Sequence, residues 1–402
     1  MTGVDDGEAI ELAARLAVVL RGHTSRGDEA AILAMLDAAS GPALAGLSTT
    51  IDWTDLLGDV DDHRLGPKNR TALLGLLCRD RLGDLPVAGR ARLLAALQRG
   101  ITCRADEGAI ADLVCGTAGD DLFELKRLVD RAATYRDLHQ LVFRDVDDEA
   151  VRERLLAHFA DQARSVPRDA RGVRILSDLD DTLWANWKDA RYPKKTVYPG
   201  VRAFYREVSR RVGGGAERLA GEVVFLTARP RDRAGLVEEM THATLRKLGI
   251  EGASVLTGPL RRVVSSAHIA LGKLEGFREY RHLYPEDDLA FVGDSGQGDV
   301  QVALAMREEA DDVVRGAFIH DVVSTTDAER ARLEGLGVDL FDTYPGAAWR
   351  AVERTLLDGE AAGRVGHAAS LELREVRFVE EGLAAAIRAL FERDLALLAD
   401  RR

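Results

Sequence analysis

The strongest constraint on the fold is a change of pattern after residue 172, where short β-rich runs begin to alternate with amphipathic helical stretches. The runs are VRILS (173–177), EVVFL (222–226), ASVLT (253–257), LAFVG (289–293), GAFIH (316–320) and VDLF (338–341). Strands that alternate with helices along a chain form parallel sheets with helices on both faces. We therefore predict an α/β domain over residues 173–350, built on a doubly wound parallel sheet. Helical spacing beyond it predicts a C-terminal helical tail over residues 351–402.

The first part of the chain has a helical pattern and repeats itself. RGHTSRGDEAAI (21–32) returns as RGITCRADEGAI (99–110), and the tetrapeptide DVDD occurs at both 59 and 145. Repeats of this kind indicate copies of one supersecondary unit. We predict an all-α domain over residues 1–165 with two internal repeats, about 20–77 and 98–160. The stretch 166–172, rich in residues that break helices, is predicted to be a linker.

Composition excludes several classes of protein. The 402 residues are 46% hydrophobic and 30% charged, as in globular proteins, and the net charge of -12 argues against general nucleic-acid binding. Three cysteines without a CxxC spacing favour neither a disulfide framework nor a zinc site. The N-terminus lacks the pattern of a signal peptide, and no apolar run is long enough for a transmembrane segment. We expect a cytoplasmic protein, with peripheral attachment to a membrane left open.

Polar side chains fall at the carboxyl ends of the predicted strands, where a parallel sheet binds its ligands. Asp178 and Asp180 follow the first strand, Thr227 ends the second, and Asp294 and Asp299 follow the LAFVG strand. If these strands are neighbours, four carboxylates share one small volume. Two carboxylates about 4 Å apart repel by about 4 kcal/mol at an effective dielectric near 20. A divalent cation offsets this repulsion, and a partial set of oxygen ligands favours Mg²⁺.

The spacing of these residues suggests phosphoryl transfer. Of the two carboxylates in DxDxT, one can attack phosphorus while the other protonates the departing alcohol. Asp180 would also give a backbone carbonyl to the metal, and Thr227 would donate its hydroxyl to the phosphoryl oxygens. Only two lysines, Lys247 and Lys273, lie between Thr227 and Asp294. Lys247 suits a helix end, so we expect Lys273 to bind the phosphoryl group.

The order of these motifs resembles the haloacid dehalogenase superfamily of aspartate-nucleophile phosphatases. The segments LSDLDDTL, VYPGVRAFY, KLEGFREYRHLYPEDDLAFVGDSGQGD and AFIHDV resemble the catalytic domain of the actin-patch-protein type of phosphatidate phosphatases, over about residues 172–325. The sequence TARP (227–230) stands where better-known members carry Ser-Asn-Ser-Pro.

This resemblance implies a Rossmann-like core, Mg²⁺ dependence and hydrolysis of phosphatidate to diacylglycerol and phosphate. It implies Asp178 as nucleophile, Asp180 as acid and base, and Thr227 and Lys273 as phosphate ligands. It also implies Asp294 as a metal ligand, with Asp299 bound to the metal or beside it. His320 and Asp321, which follow the strand after Asp294, are left with either a site role or a loop-anchoring role.

The segment between the first motif and Thr227 is too short for a cap domain, so an open crevice and a bulky substrate are expected. This segment contains a cluster of aromatic and basic side chains, namely Trp184, Trp187, Tyr192, Lys188, Arg191, Lys194 and Lys195. Such a mixture suits an anionic lipid interface, a structural flap, or contact with a phosphoprotein or nucleic acid. A lipid phosphate at a membrane surface is the favoured substrate, and a phosphoprotein or a polynucleotide end is the alternative.

The N-terminal repeats faintly resemble the start of an annexin repeat, whose GxGT loop binds Ca²⁺ at phospholipid surfaces. His23 and Ile101 replace the second glycine of that loop in the two copies, and Asp61 and Asp62 lie downstream of the first. The expectation for this half is a helical packing or partner-binding module of unknown partner, with Ca²⁺ binding as the alternative. A non-catalytic protein that acts through these repeats is the remaining hypothesis.

Overall fold

The computed structural model describes residues 5–21, 24–63, 65–99, 103–131, 136–209, 223–230, 236–250, 254–258 and 266–399. The described residues up to Ser165 form one compact unit, and those from Val166 onward form a second.

The first unit is built from helices, and its described residues contain no strand. Its α-helices are α1 Asp5–Val19, α2 Arg26–Ala38, α3 Gly41–Thr50, α4 Trp53–Gly58, α5 Asn69–Gly75, α6 Val87–Leu97, α7 Arg104–Cys115, α8 Gly119–Arg131, α9 Leu138–Gln140 and α10 Glu149–Ala163. Short π-helical turns at Leu76–Asp80 and Leu141–Asp145 and a 3-10 turn at Leu82–Asp84 complete it. A capping box formed by Ser25 and Asp28 begins α2.

Two buried glutamates make the same kind of contact in this unit. Glu29 on α2 accepts a hydrogen bond from the backbone N–H of Asp61 (3.4 Å), and Glu107 on α7 accepts them from Asp147 (3.3 Å) and Asp148 (3.0 Å). Both glutamates therefore satisfy backbone donors of a DVDD loop, which gives a physical reason for these acidic residues to recur together. The annexin-like positions His23 and Ile101 lie outside the described residues.

The second unit contains a sheet of six parallel strands in the order β3-β2-β1-β4-β5-β6. The strands are β1 Val173–Ser177, β2 Val223–Pro230, β3 Ser254–Gly258, β4 Asp288–Asp294, β5 Val314–His320 and β6 Asp339–Phe341. The helices are α11 Val201–Val208, α12 Leu236–Lys247, α13 Ser266–Leu283, α14 Asp299–Ala310, α15 Asp327–Gly335, α16 Tyr344–Glu353, α17 Gly359–Glu375 and α18 Glu381–Ala399, with a 3-10 turn at Arg168–Ala170. The predicted α/β class and parallel sheet are confirmed, and each predicted run overlaps a strand.

The strand order places a ligand-binding crevice at β1. The chain builds outward from β1 to β3 and then returns to β4 on the other side of β1, an order consistent with a Rossmann-like fold. Ligands of such sheets bind where the order reverses, at the carboxyl ends of the two central strands. All seven residues of β4 are buried, so polar groups at its end face a desolvated environment.

The C-terminal helices pack against the rest of the second unit through small residues. The buried face of α17 is formed by Ala361, Ala362, Gly363, Val365, Gly366 and Ala369. Gly200, with φ of 92°, precedes α11, and a Cβ there would lie 2.7 Å from the Cβ of Ala369. Helices α17 and α18 form this tail, and of its large apolar residues Ile387 and Phe391 are buried, whereas Leu371 and Val379 are exposed. Close approach of two helices requires small side chains, which hydrophobic spacing alone does not identify.

Among the described residues, no helix combines the length and the apolar character that crossing a bilayer requires.

Candidate active site at the carboxyl ends of β1 and β4

Three buried aspartates meet at the edge of the sheet where β1 and β4 end. Ser177 pairs with Val292 across the two strands, and the N–H of Asp178 donates to the carbonyl of Val292 (2.9 Å). Asp178 therefore lies beside the end of β4, which is Asp294, and Asp299 begins α14. The three residues each offer a carboxylate oxygen, and these oxygens lie within 4.8 Å of one another.

The turn from the end of β4 into α14 requires glycine at two positions, one in the strand and one before the helix. A Cβ at Gly293 would lie 2.6 Å from both Cβ and Oδ2 of Asp299, so any larger residue would push that carboxylate out of the cluster. Gly298 precedes the helix with φ of 94°, a conformation that side-chain-bearing residues rarely adopt. The glycines of GDSGQGD therefore allow Asp299 to fold back against the end of β4. The N–H of Asp294 donates a hydrogen bond to Asp299 Oδ2 (3.2 Å).

Lys273 on α13 is the cation of the cluster. Its Nζ lies 2.8 Å from Asp178 Oδ1 and 2.5 Å from Asp299 Oδ1, and the side chain is buried. Burial opposes the charged form, but the carboxylates of Asp178 and Asp299 outweigh that effect and raise the pKa of Lys273. The structure thus brings together four predicted site residues: Asp178, Lys273, Asp294 and Asp299.

The cluster carries more negative than positive charge. Three carboxylates and one ammonium give a formal charge of -2 when all are ionised. Burial is the main cause that raises the pKa of Asp178 to about 7, and burial together with the charges of Asp299 and Asp178 raises that of Asp294 to about 9. Asp294 Oδ2 is buried and accepts no hydrogen bond from the described residues.

These features fit a divalent cation. A buried carboxylate oxygen without a donor costs free energy unless a proton or a metal ion satisfies it. The ligands are all oxygen, and the clustered side chains include no thiolate or imidazole, a set that suits a hard ion such as Mg²⁺. Asp178, Asp294 and Asp299 are the residues that could hold such an ion.

The carboxylate of Asp180 is not part of this cluster. Its Oδ1 accepts hydrogen bonds from Trp184 Nε1 (2.7 Å) and Asn186 Nδ2 (2.9 Å), and Lys195 Nζ lies 3.6 Å away. The strands are neighbours as expected, but three carboxylates share the small volume rather than four. The reason is that Trp184 and Asn186, in the loop after β1, donate hydrogen bonds that hold the carboxylate of Asp180 away from the other three site residues' shared volume. The metal ligand expected from Asp180 is its backbone carbonyl, so the position of its carboxylate does not affect that prediction.

Thr227 lies in β2, on the side of β1 away from β4, and pairs with Thr257 of β3. Its side chain falls outside the described part of the chain. The expected contact between its hydroxyl and a phosphoryl group therefore stays a prediction.

Asp181 has a structural role that sequence reasoning did not identify. Its backbone is left-handed (φ 63°), and its buried carboxylate accepts hydrogen bonds from four backbone N–H groups. These are the N–H groups of Asn186 (2.8 Å), Trp187 (3.0 Å), Lys188 (2.7 Å) and Asp189 (3.4 Å). The third aspartate of SDLDDT therefore organises the following loop. No signal in the sequence separates this role from that of its neighbours.

His320 and Asp321 anchor loops around the site. The Nδ1–H of His320 donates to the carbonyl of Asp181 (3.0 Å), and burial lowers the pKa of the ring, which keeps it neutral. Asp321 accepts hydrogen bonds from Ser295 Oγ (3.0 Å) and from the N–H of Thr325 (2.8 Å). Of the two roles considered for these residues, the observed contacts match loop anchoring.

Comparisons with protein families, with curated proteins and with solved structures find no match to this chain.

Proposed function

We propose that the chain is a Mg²⁺-dependent phosphatase of the haloacid dehalogenase type, which acts through an aspartyl-phosphate at Asp178. One observation carries the proposal. Three buried carboxylates and one buried lysine converge where β1 and β4 end, and Asp294 Oδ2 is left without a donor. A structural ion pair would not need this excess of negative charge, whereas a site for a cation and a phosphoryl group does.

In the first step, a carboxylate oxygen of Asp178 forms a bond to phosphorus while the bond from phosphorus to the substrate oxygen breaks. Asp180 gives its proton to the departing oxygen, so that an alcohol leaves. Bound Mg²⁺ would supply positive charge to the phosphoryl oxygens. Lys273, already 2.8 Å from Asp178, adds a fixed positive charge beside the attacking atom and holds the carboxylate in place.

In the second step, water attacks phosphorus and the bond to Asp178 breaks. Asp180, now ionised, takes a proton from that water, and phosphate leaves with the free carboxylate of Asp178 restored. The hydrogen bonds from Trp184 and Asn186 hold the carboxylate of Asp180 during both steps. The separation of Asp180 from the metal cluster suits this role, since a carboxylate bound to the metal would be a weaker base.

We propose phosphatidate, or a related lipid phosphate, as the substrate, with diacylglycerol and phosphate as products. Between β1 and β2 the described residues contain a loop and the single helix α11, which supports the expectation of a crevice without a cap domain. An open crevice favours a substrate whose own bulk excludes water from the reaction. The same machinery could act on a phosphoprotein or a polynucleotide end, which is the alternative substrate.

For the helical unit we propose two copies of one module, supported by the shared contacts of Glu29 and Glu107 with DVDD loops. A partner-binding role is the simplest function for such a module. Attachment of a cytoplasmic protein to a membrane surface would agree with a lipid substrate.

The test compares the wild-type chain with Asp178→Asn, using phosphatidate vesicles, a phosphopeptide, a 3′-phosphorylated oligonucleotide and an aryl phosphate, each with Mg²⁺ and with a chelator. The expected result is Mg²⁺-dependent release of phosphate, fastest from phosphatidate, and its loss in Asp178→Asn. Asp312→Asn, an exposed aspartate of the same unit, is the matched control and should retain activity.

Faster turnover of the peptide or the oligonucleotide would replace the lipid assignment while leaving the mechanism intact. Full activity in Asp178→Asn would refute the mechanism. Folded wild-type protein that releases no phosphate from any substrate would favour a non-catalytic protein acting through its helical unit.

A further inference from the structure

The aromatic and basic cluster of the loop between β1 and α11 divides into an inner and an outer set. Trp184 and Tyr192 are buried, and Arg191 is bound to the carboxylate of Asp189 (2.8 Å). The outer set consists of four exposed residues, Trp187, Lys188, Lys194 and Lys195, which we call the loop patch. Trp187 is 70% exposed, an unusual exposure for the largest apolar side chain.

The loop patch is held rigidly to the active site. The N–H groups of Trp187 and Lys188 donate to the buried carboxylate of Asp181, three positions after the proposed nucleophile. Lys195 has a left-handed backbone (φ 66°), and its N–H donates to the carbonyl of Ala185 (2.7 Å). Because backbone hydrogen bonds fix both arms of the loop, the patch and the catalytic carboxylates keep a set distance.

The loop patch also borders the catalytic groups. Lys195 Nζ lies 3.6 Å from Asp180 Oδ1 and 4.8 Å from the ring centre of Trp184. The stem of Lys188 covers the loop after β4, since a Cβ at Gly296 would lie 2.9 Å from its Cγ. Lys194 Nζ lies 6.0 Å from the ring centre of Trp187. Whatever surface contacts the patch therefore meets the same side of the protein as the proposed acid and base.

The chemistry of the patch identifies its partner. The chain has a net charge of -12 and only seven lysines, and three of the seven are in this patch. Lysine stems and an indole ring both settle at the depth of lipid headgroups, with the ammonium groups toward anionic lipids. We propose that the loop patch docks the protein onto an anionic bilayer, so that the active site opens toward the lipid headgroups. This inference takes its purpose from the proposed lipid phosphatase function, but it is tested without turnover.

The experiment measures binding of the full chain to vesicles of phosphatidylcholine alone and of phosphatidylcholine with phosphatidylserine, a lipid that is not the proposed substrate. All proteins carry Asp178→Asn, so hydrolysis cannot change the vesicles. Binding is expected with phosphatidylserine only and should weaken with added salt. Lys194→Gln should weaken it about fivefold and Trp187→Ala by a similar factor. The matched controls Lys247→Gln and Val379→Ala, exposed residues of the same unit, should bind as the parent does.

Equal binding to both vesicle types, no binding to either, or unchanged binding in Trp187→Ala and Lys194→Gln would each overturn the inference. The two proposals fail separately. Loss of vesicle binding in the patch variants supports docking even if the wild-type chain hydrolyses no phosphate ester. Conversely, Mg²⁺-dependent hydrolysis of an aryl phosphate supports the phosphatase even if no variant changes the binding.

Discussion

Replacement of Lys273 by methionine tests the electrostatic account of the site. The substitution keeps an unbranched side chain of similar volume but removes the ammonium that lies 2.8 Å from Asp178 and 2.5 Å from Asp299. The formal charge of the cluster changes from -2 to -3, since three carboxylates then remain without a cation. Removing one partner of a buried ion pair costs about 3–5 kcal/mol, and we expect Lys273→Met to lower the free energy of unfolding by that amount without Mg²⁺.

Tryptophan fluorescence in urea measures this loss. In a Trp53→Phe background the remaining tryptophans, Trp184, Trp187 and Trp349, all belong to the second unit, so the signal reports the unfolding of that unit. Lys247→Met is the matched control, because Lys247 is an exposed lysine at the end of α12.

The double variant Lys273→Met/Asp299→Asn returns the formal charge to -2 and should recover part of the stability that Lys273→Met loses. A loss of less than about 1 kcal/mol in Lys273→Met would refute the reasoning, since ordinary surface substitutions are within about 0.5 kcal/mol. A double variant less stable than Lys273→Met would refute it as well. Either result would mean that the carboxylates do not depend on Lys273 for their charge balance.

Two further predictions concern the metal and the acid. In the folded protein the pKa of Asp178 is raised from 3.8 to about 7 and that of Asp294 from 3.8 to about 9. Between these values and 3.8 the folded, metal-free protein therefore keeps protons that the unfolded chain releases. Stability in a chelator should therefore fall as the pH rises from about 4 to about 9, and Mg²⁺ should reduce this loss. Melting curves against pH, with Mg²⁺ and with chelator, check this, and identical curves would contradict it. Asn186→Ala should slow hydrolysis of alkyl phosphates about tenfold more than that of nitrophenyl phosphate, because only the poor leaving group needs the proton of Asp180. An equal effect on both substrates would contradict the positioning role of Asn186.

The sheet and the carboxylate cluster could be predicted because their signals are local. Between Asp288 and Asp294 the residues of β4 are apolar or glycine, so the sequence alone places Asp294 at a strand end. Once two such strands are neighbours, the meeting of Asp178 and Asp294 follows from the geometry of parallel sheets. Lys273 was predicted by elimination, from the small number of lysines, and its reach to Asp178 depends on how α13 packs.

The separation of Asp180 and the role of Asp181 could not be predicted, because adjacent aspartates in SDLDDT look alike in sequence. Their roles differ because Asp181 adopts φ of 63° and meets four backbone donors, whereas Asp180 meets Trp184 and Asn186. These contacts depend on the path of a loop, which no periodicity encodes. The same limit applies to the loop patch, whose exposed and buried members alternate irregularly along the sequence.

The fit of α17 against Gly200 bears on where this protein can be divided. Helices α17 and α18 cover α11 and α16, and their buried side chains belong to the same hydrophobic core as the aromatic residues Phe204 and Tyr344. A fragment that ended at residue 350, where the alternating pattern stops, would expose that core to water. The last fifty residues are therefore integral to the folding of the second unit. Recombination or gene fusion would have to move these residues together with the sheet.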